Sequence, residues 1–198
     1  MAYHGYIPFI KSFLSNIKSP KVLEIGLDTG ATTIPVVVFM SRFHEKYQFT
    51  GIDIRLQDSL KVMLKNIDLN VKQELRIMQS NSLEALPNMS KSNERFDLVL
   101  LDGDHNYYTV VKELEYLNEM VSDGGIIIVD DYHGRWSEKD MWYSERQECS
   151  EIDISTKKVE TEKRGVKPAV DEFLAKNSQW SSRVLMTGEP IILLKNVV

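Results

Sequence analysis

The 198-residue sequence contains a single cysteine, Cys149, so it forms no intramolecular disulfide, and nowhere do cysteine and histidine fall at zinc-binding spacing. Such a chain suits a reducing compartment. Basic excess is missing too: 24 Lys and Arg against 29 Asp and Glu give a net charge of −5, the reverse of the broad positive footprint of a nucleic-acid binder. There is no long hydrophobic run. The longest, Ile34 to Met40, falls far short of the roughly 20 residues that cross a bilayer. The opening MAYHGYIPFIK lacks the basic start and small-residue cleavage site of a secretory signal. Internal repeats and low-complexity tracts are missing as well. These absences lead to the expectation of a cytoplasmic protein with neither membrane nor nucleic acid as partner. Apolar residues are not scarce: 42% of the chain, against 27% charged, excludes wholesale disorder. A chain of this length can bury roughly 70% of its unfolded surface in one domain.

What is present is an alternation of short β-branched runs with longer helical patterns. Lys21 to Gly26, Tyr47 to Ile54, Glu74 to Gln79, Phe96 to Leu101 and Ile126 to Val129 read as strands. Thr32 to His44, Gln57 to Asn66, Tyr107 to Val121 and Val166 to Lys176 read as helices, with Pro35 tolerable in a first turn. Gly124-Gly125 reads as the stop of the third of these. FDLVLL and IIIV are apolar throughout, as strands covered on both faces are. Alternation of this kind demands parallel pairing with right-handed crossovers. Ser182 to Met186 and Ile191 to Lys195 follow with no helix between them, so they predict an antiparallel hairpin turning near Thr187-Gly188-Glu189-Pro190. The expected architecture is α/β: a Rossmann-like, seven-stranded, mostly parallel sheet with helices on both faces and one reversed edge strand in a C-terminal hairpin.

Residues 135–164 break the rhythm, with fifteen charged side chains in thirty positions and little period. A loop that long is a lid, a binding loop or a solvated excursion. Its Trp136, Trp142 and Tyr143 read as stacking groups for an acceptor or as the segment's own core. Ile7 to Lys18, with Tyr3, Tyr6 and Phe9 about it, reads as an amphipathic helix that covers a ligand, packs, or forms a dimer contact. Cys149 has no base at a recognisable spacing, and Asp171 and Glu172 read as solvated helix residues.

Chemistry concentrates at the carboxyl ends of the strands, where open α/β sheets bind ligands. Gly26 and Gly30 stand four apart in a strand-to-helix turn, a spacing that is neither the dinucleotide fingerprint nor a phosphate loop. Asp53 ends the next strand, 23 residues beyond Gly30, where a carboxylate grips a ribose diol. Asp102 and Asp104 follow the fourth strand, Asp130 and Asp131 the fifth, with His105 beside them. Four carboxylates at one edge are either solvated loop acids or the ligands of a hard divalent cation such as Mg²⁺, Ca²⁺ or Mn²⁺.

The segments VLEIGLDTGATT, GIDI, QSNSLEAL, FDLVLLDGDHNYYTVVKEL and GGIIIVDDYH together resemble the class I S-adenosylmethionine-dependent methyltransferases. The likeness is to the small family whose fourth strand ends in Asp-Gly-Asp-His and whose fifth ends in Asp-Asp, itself similar to sugar and macrolide O-methyltransferases. It runs over about residues 20–133 and resumes at GVKPAVDEFL. The resemblance implies S-adenosyl-L-methionine as cofactor, with Glu24, Gly26 and Gly30 at its methionine end, Asp53 on the ribose, Asn81 and Ser82 at the adenine, and Asp102 at the pocket floor. Relatives often carry Gly-Asp-Ser where this chain has Ser80-Asn81-Ser82. It also implies Asp102, Asp130 and Asp131 as ligands of Mg²⁺ or another hard divalent cation, and a hydroxyl-bearing small molecule, a sugar or glycosylated compound, as acceptor. Asp104 matches the base of the sugar enzymes, and His105 stands where catechol-type enzymes place a lysine; Asp104 is preferred. A nicotinamide-dependent oxidoreductase on the same sheet and an inactive nucleoside-binding module are the rival readings. A homo-oligomer is left open.

Overall fold

The computed structural model describes residues 6–149, 151–185 and 189–197. Tyr3, Met186 and the Thr187-Gly188 part of the expected hairpin turn lie outside them. Helix α1 (Ile7–Ser15) leads into β1 (Lys21–Ile25), followed by α2 (Thr33–Phe43), β2 (Tyr47–Asp53), α3 (Asp58–Lys65) and β3 (Gln73–Gln79). Then come α4 (Ser82–Lys91), β4 (Phe96–Leu101), α5 (Tyr107–Met120), β5 (Val121–Val129), α6 (Val166–Lys176), β6 (Trp180–Val184) and β7 (Ile191–Lys195). All seven strands join one sheet in the order β3-β2-β1-β4-β5-β7-β6. The first five pair in parallel, and β7 runs antiparallel to both β5 and β6.

The continuous apolar runs are explained by two covered faces. Val99, Leu101, Ile127, Val129 and Leu193 point toward α4, α5 and α6, while Leu98, Leu100, Ile126, Ile128 and Ile192 point toward α1 and α2. Successive side chains of one strand thus enter different cores, as strand geometry requires. The reversal of chain order falls between β1 and β4, which opens a crevice at their carboxyl ends.

Four local expectations are corrected. The reversed strand is not the edge: β7, whose Ile191, Ile192 and Leu193 are buried, sits between β5 and β6, and the mostly exposed β6 takes the edge. Strand β6 also starts earlier, because Trp180 packs edge-on against Phe173 of α6. Gly124-Gly125 does not end a helix. Helix α5 stops at Met120, and the pair lies within β5, where pairing to β4 jumps from Phe96↔Val121 to Leu98↔Ile126. Gly124 takes φ +74 in that irregularity. Helix α4 was not expected at all, since Pro87 lies inside it. It forms because Asn81 caps its start and Ala85, Leu86 and Met89 reach the core.

Candidate active site

The crevice is built first by the turn after β1. Gly26 takes φ +87, and a Cβ there would stand 2.0 Å from the Asp102 carbonyl oxygen. Gly30 takes φ +84, with Leu60 Cδ1 at 2.5 Å from any added Cβ. Side-chain-free backbone at Gly26 lets the turn close against the end of β4 and still line the cleft, while at Gly30 it lets the turn pack against α3. Asp53 holds it from β2: its Oδ2 accepts the N–H groups of Leu27 (2.7 Å) and Asp28 (3.0 Å), and its Oδ1 that of Arg55 (2.8 Å). A carboxylate oxygen has room for a further donor, so the side chain can serve the turn and a ligand together.

The resulting cleft has a volume of about 200 Å³ and opens to solvent; Glu24, Gly26, Asp53, Asn81, Asp102 and Asp104 are among its walls. Glu24 is buried, with Oε2 unpartnered among the described residues, and burial pushes its carboxyl up to about 8, the Asp53 charge adding to this. Asn81 reaches the cleft with its amide already engaged. Its Oδ1 accepts from Leu83 N–H (2.8 Å), and its Nδ2 donates to Ile154 O (2.8 Å) and Thr156 Oγ1 (3.1 Å).

That contact shows where residues 135–164 go. Asp140 Oδ1 accepts the N–H groups of Tyr107 (2.9 Å) and Gly165 (2.8 Å), and Met141 N–H donates to His105 O at 3.0 Å. Two short 3₁₀ turns, Tyr143–Glu145 and Gln147–Cys149, then carry Tyr143, Cys149 and Thr156 to the cleft wall. The aromatic group divides: Trp142 is buried beside Tyr108, whereas Tyr143 lines the cleft. Thr156 and the buried Cys149 were missed by sequence reasoning, because a charged stretch without period gives no signal for which residues turn inward. Asp171 and Glu172 are not merely solvated: they accept the hydroxyls of Tyr132 and Tyr107, at 2.6 Å each.

At one end of the cleft, where Asp102 lines it, one ligand-type atom each from Asp102, His105 and Asp130 lies within 4.8 Å of the others. Asp131 stands to one side, its Oδ2 3.6 Å from His105 Nδ1. Burial, then the Asp131 charge, pushes Asp130 up to about 6. Asp104 also reaches about 6 through burial, although it accepts the Tyr143 N–H (3.3 Å) and the Thr109 hydroxyl (3.4 Å). Burial, helped by Arg146, lowers His105 to about 4, which leaves a neutral imidazole.

Beneath the site, Glu113 of α5 is fully buried and faces the Ser82 hydroxyl without a well-formed hydrogen bond to either oxygen. Burial raises its carboxyl to about 8. The folded protein therefore keeps this proton while the unfolded chain releases it near the ordinary value of 4.5, so stability falls as pH rises from there through about 8. Glu113→Gln should flatten that decline and gain on the order of 2 kcal/mol over the parent at pH 8.5. Thermal melts from pH 5 to 8.5 that fall in parallel for both proteins would refute it.

A seven-stranded sheet of this order, with a glycine turn after β1, a carboxylate at the tip of β2 and acids at the tips of β4 and β5, defines the class I S-adenosylmethionine-dependent methyltransferases. The chain belongs to that class: residues 23–132, more than half of its length, match the family model described as a methyltransferase domain. Among solved structures it is similar to the O-methyltransferase of Bacillus cereus in complex with S-adenosylhomocysteine, at 17% identity and TM-score 0.60 over 96% of this chain and 80% of that one. The MycE methyltransferase of the mycinamycin biosynthetic pathway, solved with Mg and S-adenosylhomocysteine, matches at 17% identity and TM-score 0.60, over 97% of this chain and half (50%) of its own. At such identities the likeness establishes the fold. A 60-residue stretch, 30% of the chain, is 37% identical to uncharacterized protein R132 of Acanthamoeba polyphaga mimivirus and spans about a quarter (24%) of that protein. No helix among the described residues is long and apolar enough to cross a membrane.

Proposed function

We propose that this methyltransferase acts on a hydroxyl of a small molecule, a sugar or glycosylated compound, with the help of a divalent cation. The observation that carries the reading is the grouping of Asp130 and His105 with Asp102, which together with Asp104, Gly26 and Asp53 lines the cleft. Donors of this kind fit a hard or borderline divalent cation. S-adenosylmethionine supplies an activated methyl group, and a bound cation lowers the pKa of the acceptor hydroxyl. The chain's own residues do the rest. Gly26 and Gly30 leave the backbone open to the methionine end, where Glu24 also stands, and Asp53 Oδ1 accepts a ribose hydroxyl. Asn81 and Ser82 shape the adenine end, Asn81 through its hold on Ile154 and Thr156. Asp102 and Asp130 hold the cation, and Asp131 is the further carboxylate of the expected set. Asp104 takes the hydroxyl proton as the new C–O bond forms. The segment 135–164 acts as a lid that keeps water from the transfer, a role supported by Tyr143, Cys149 and Thr156 at the cleft wall. The likeness to MycE, solved also with mycinamycin VI, supports a small-molecule acceptor, and the net charge of −5 speaks against a nucleic acid. The same charge balance and single cysteine support a cytoplasmic setting.

Calorimetric titration with S-adenosylhomocysteine tests the cofactor assignment. Asp53→Ala is expected to weaken binding by about 10–100-fold, the worth of one charge-assisted hydrogen bond. Asp53→Asn, which keeps an acceptor oxygen, should lose less. Heat from nicotinamide nucleotides in place of S-adenosylhomocysteine would overturn the reading.

A further inference from the structure

We propose that His105 is the third protein ligand of the divalent cation, and that Asp131 acts behind it by orienting the imidazole. The inference rests on the cation-assisted reading and goes further, because that reading's expected set has three carboxylates and no imidazole.

Three observations carry it. The ligand atoms that lie within 4.8 Å of one another belong to Asp102, His105 and Asp130; Asp131 contributes none. A cation held at about 2.0–2.3 Å from each ligand requires such a spacing to within a few tenths of an ångström. Second, His105 is only 6% exposed, and each of its ring nitrogens faces a carboxylate oxygen. Nε2 stands 3.5 Å from Asp102 Oδ1 and Nδ1 3.6 Å from Asp131 Oδ2, ion-pair separations longer than a bond. A buried imidazole with one nitrogen turned to a carboxylate pair and the other to a third carboxylate has the layout of a carboxylate–histidine–metal relay. Its backbone is fixed by the Met141 N–H.

Third, Asp131 is folded back on its own turn. It takes φ +56, its carboxylate lies against the backbone of Arg135 and Trp136, and a Cβ at Gly134 would stand 1.8 Å from its Oδ1. Glycine at 134 thus makes room for the Asp131 carboxylate within its own turn. Its Oδ2 faces His105 Nδ1 at 3.6 Å.

An imidazole in the set has a chemical consequence. Carboxylates alone suit Mg²⁺ and Mn²⁺ alike in kind, whereas imidazole nitrogen binds transition-metal dications better than Mg²⁺. The site should therefore prefer Mn²⁺ over Mg²⁺, and His105→Gln should narrow the preference by weakening Mn²⁺ at least about tenfold while changing Mg²⁺ far less.

The experiment is pulsed electron paramagnetic resonance of Mn²⁺ on the whole protein in a nitrogen-free buffer, with binding measured in parallel by titration. Echo modulation from a directly bound ¹⁴N is expected in the parent. It should change to the ¹⁵N pattern when histidine is ¹⁵N-labelled, vanish in His105→Gln, and persist in Asp131→Asn and His133→Gln. Mn²⁺ that binds without nitrogen coupling, or coupling that survives in His105→Gln, overturns the assignment of His105 and leaves the cation reading standing. Failure of both Mn²⁺ and Mg²⁺ to bind the parent overturns that reading and the inference with it.

Discussion

Asp104→Asn should lower kcat by roughly 10²–10⁴-fold, the usual worth of a positioned proton acceptor, while S-adenosylhomocysteine binds the variant as it binds the parent. The carboxyl lines the cleft together with Asp102, the member of the Asp102, His105 and Asp130 group that reaches it. It is held there by the Tyr143 N–H and the Thr109 hydroxyl, so the amide can occupy the same place. Burial brings Asp104 up to about 6, and the working form is the carboxylate. Activity of the parent therefore falls as pH drops through about 6, and the residual activity of Asp104→Asn loses that limb. The measurement is turnover with a hydroxyl acceptor found by screening, at saturating cofactor and cation. Undiminished kcat in Asp104→Asn would remove it as the base.

Gly26→Ala should cost the protein roughly 3–5 kcal/mol and lower Tm by about 10 °C. Two penalties add. The residue sits at φ +87, where a Cβ costs roughly 1–2 kcal/mol by itself. The atoms it would strike are also backbone: Asp102 O at 2.0 Å, Asp102 C at 2.5 Å and Gly103 N at 2.9 Å. Backbone cannot rotate away, so β1 and β4 must part at the point where the floor is built. Gly51→Ala is the control, since its Cβ would meet side-chain carbons of Ile77 and Leu27 at 3.0 Å, which can shift. Calorimetric melts in which both variants unfold alike would contradict the argument.

Parallel strands made most of the fold and the site's location legible. Once FDLVLL and GGIIIVDD are read as neighbours pointing the same way, Asp102 and Asp130 must end at one edge, and the structure pairs Leu101 with Val129 just before them. The same reasoning brings Gly26 and Asp53 to that edge, since Ile25 pairs with Ile52. Helix α4 escaped because Pro87 masks a pattern that Ala85, Leu86 and Met89 carry. The cleft residues Thr156 and Cys149 escaped because their positions depend on partners far along the chain, such as Asn81 for Thr156.

The sequence by itself determined the two-sided core, the parallel run of five strands, and which acids stand at the strand tips. Each follows from side-chain periodicity and chain direction, which are local. Only the tertiary structure decided that β7 enters the sheet ahead of β6, that Tyr143, Cys149 and Thr156 reach the cleft wall, and that His105 rather than Asp131 groups with Asp102 and Asp130. Those outcomes depend on long-range contacts and on one left-handed turn at Asp131, with Gly134 making room for its carboxylate. A period of two or of 3.6 residues carries no record of them.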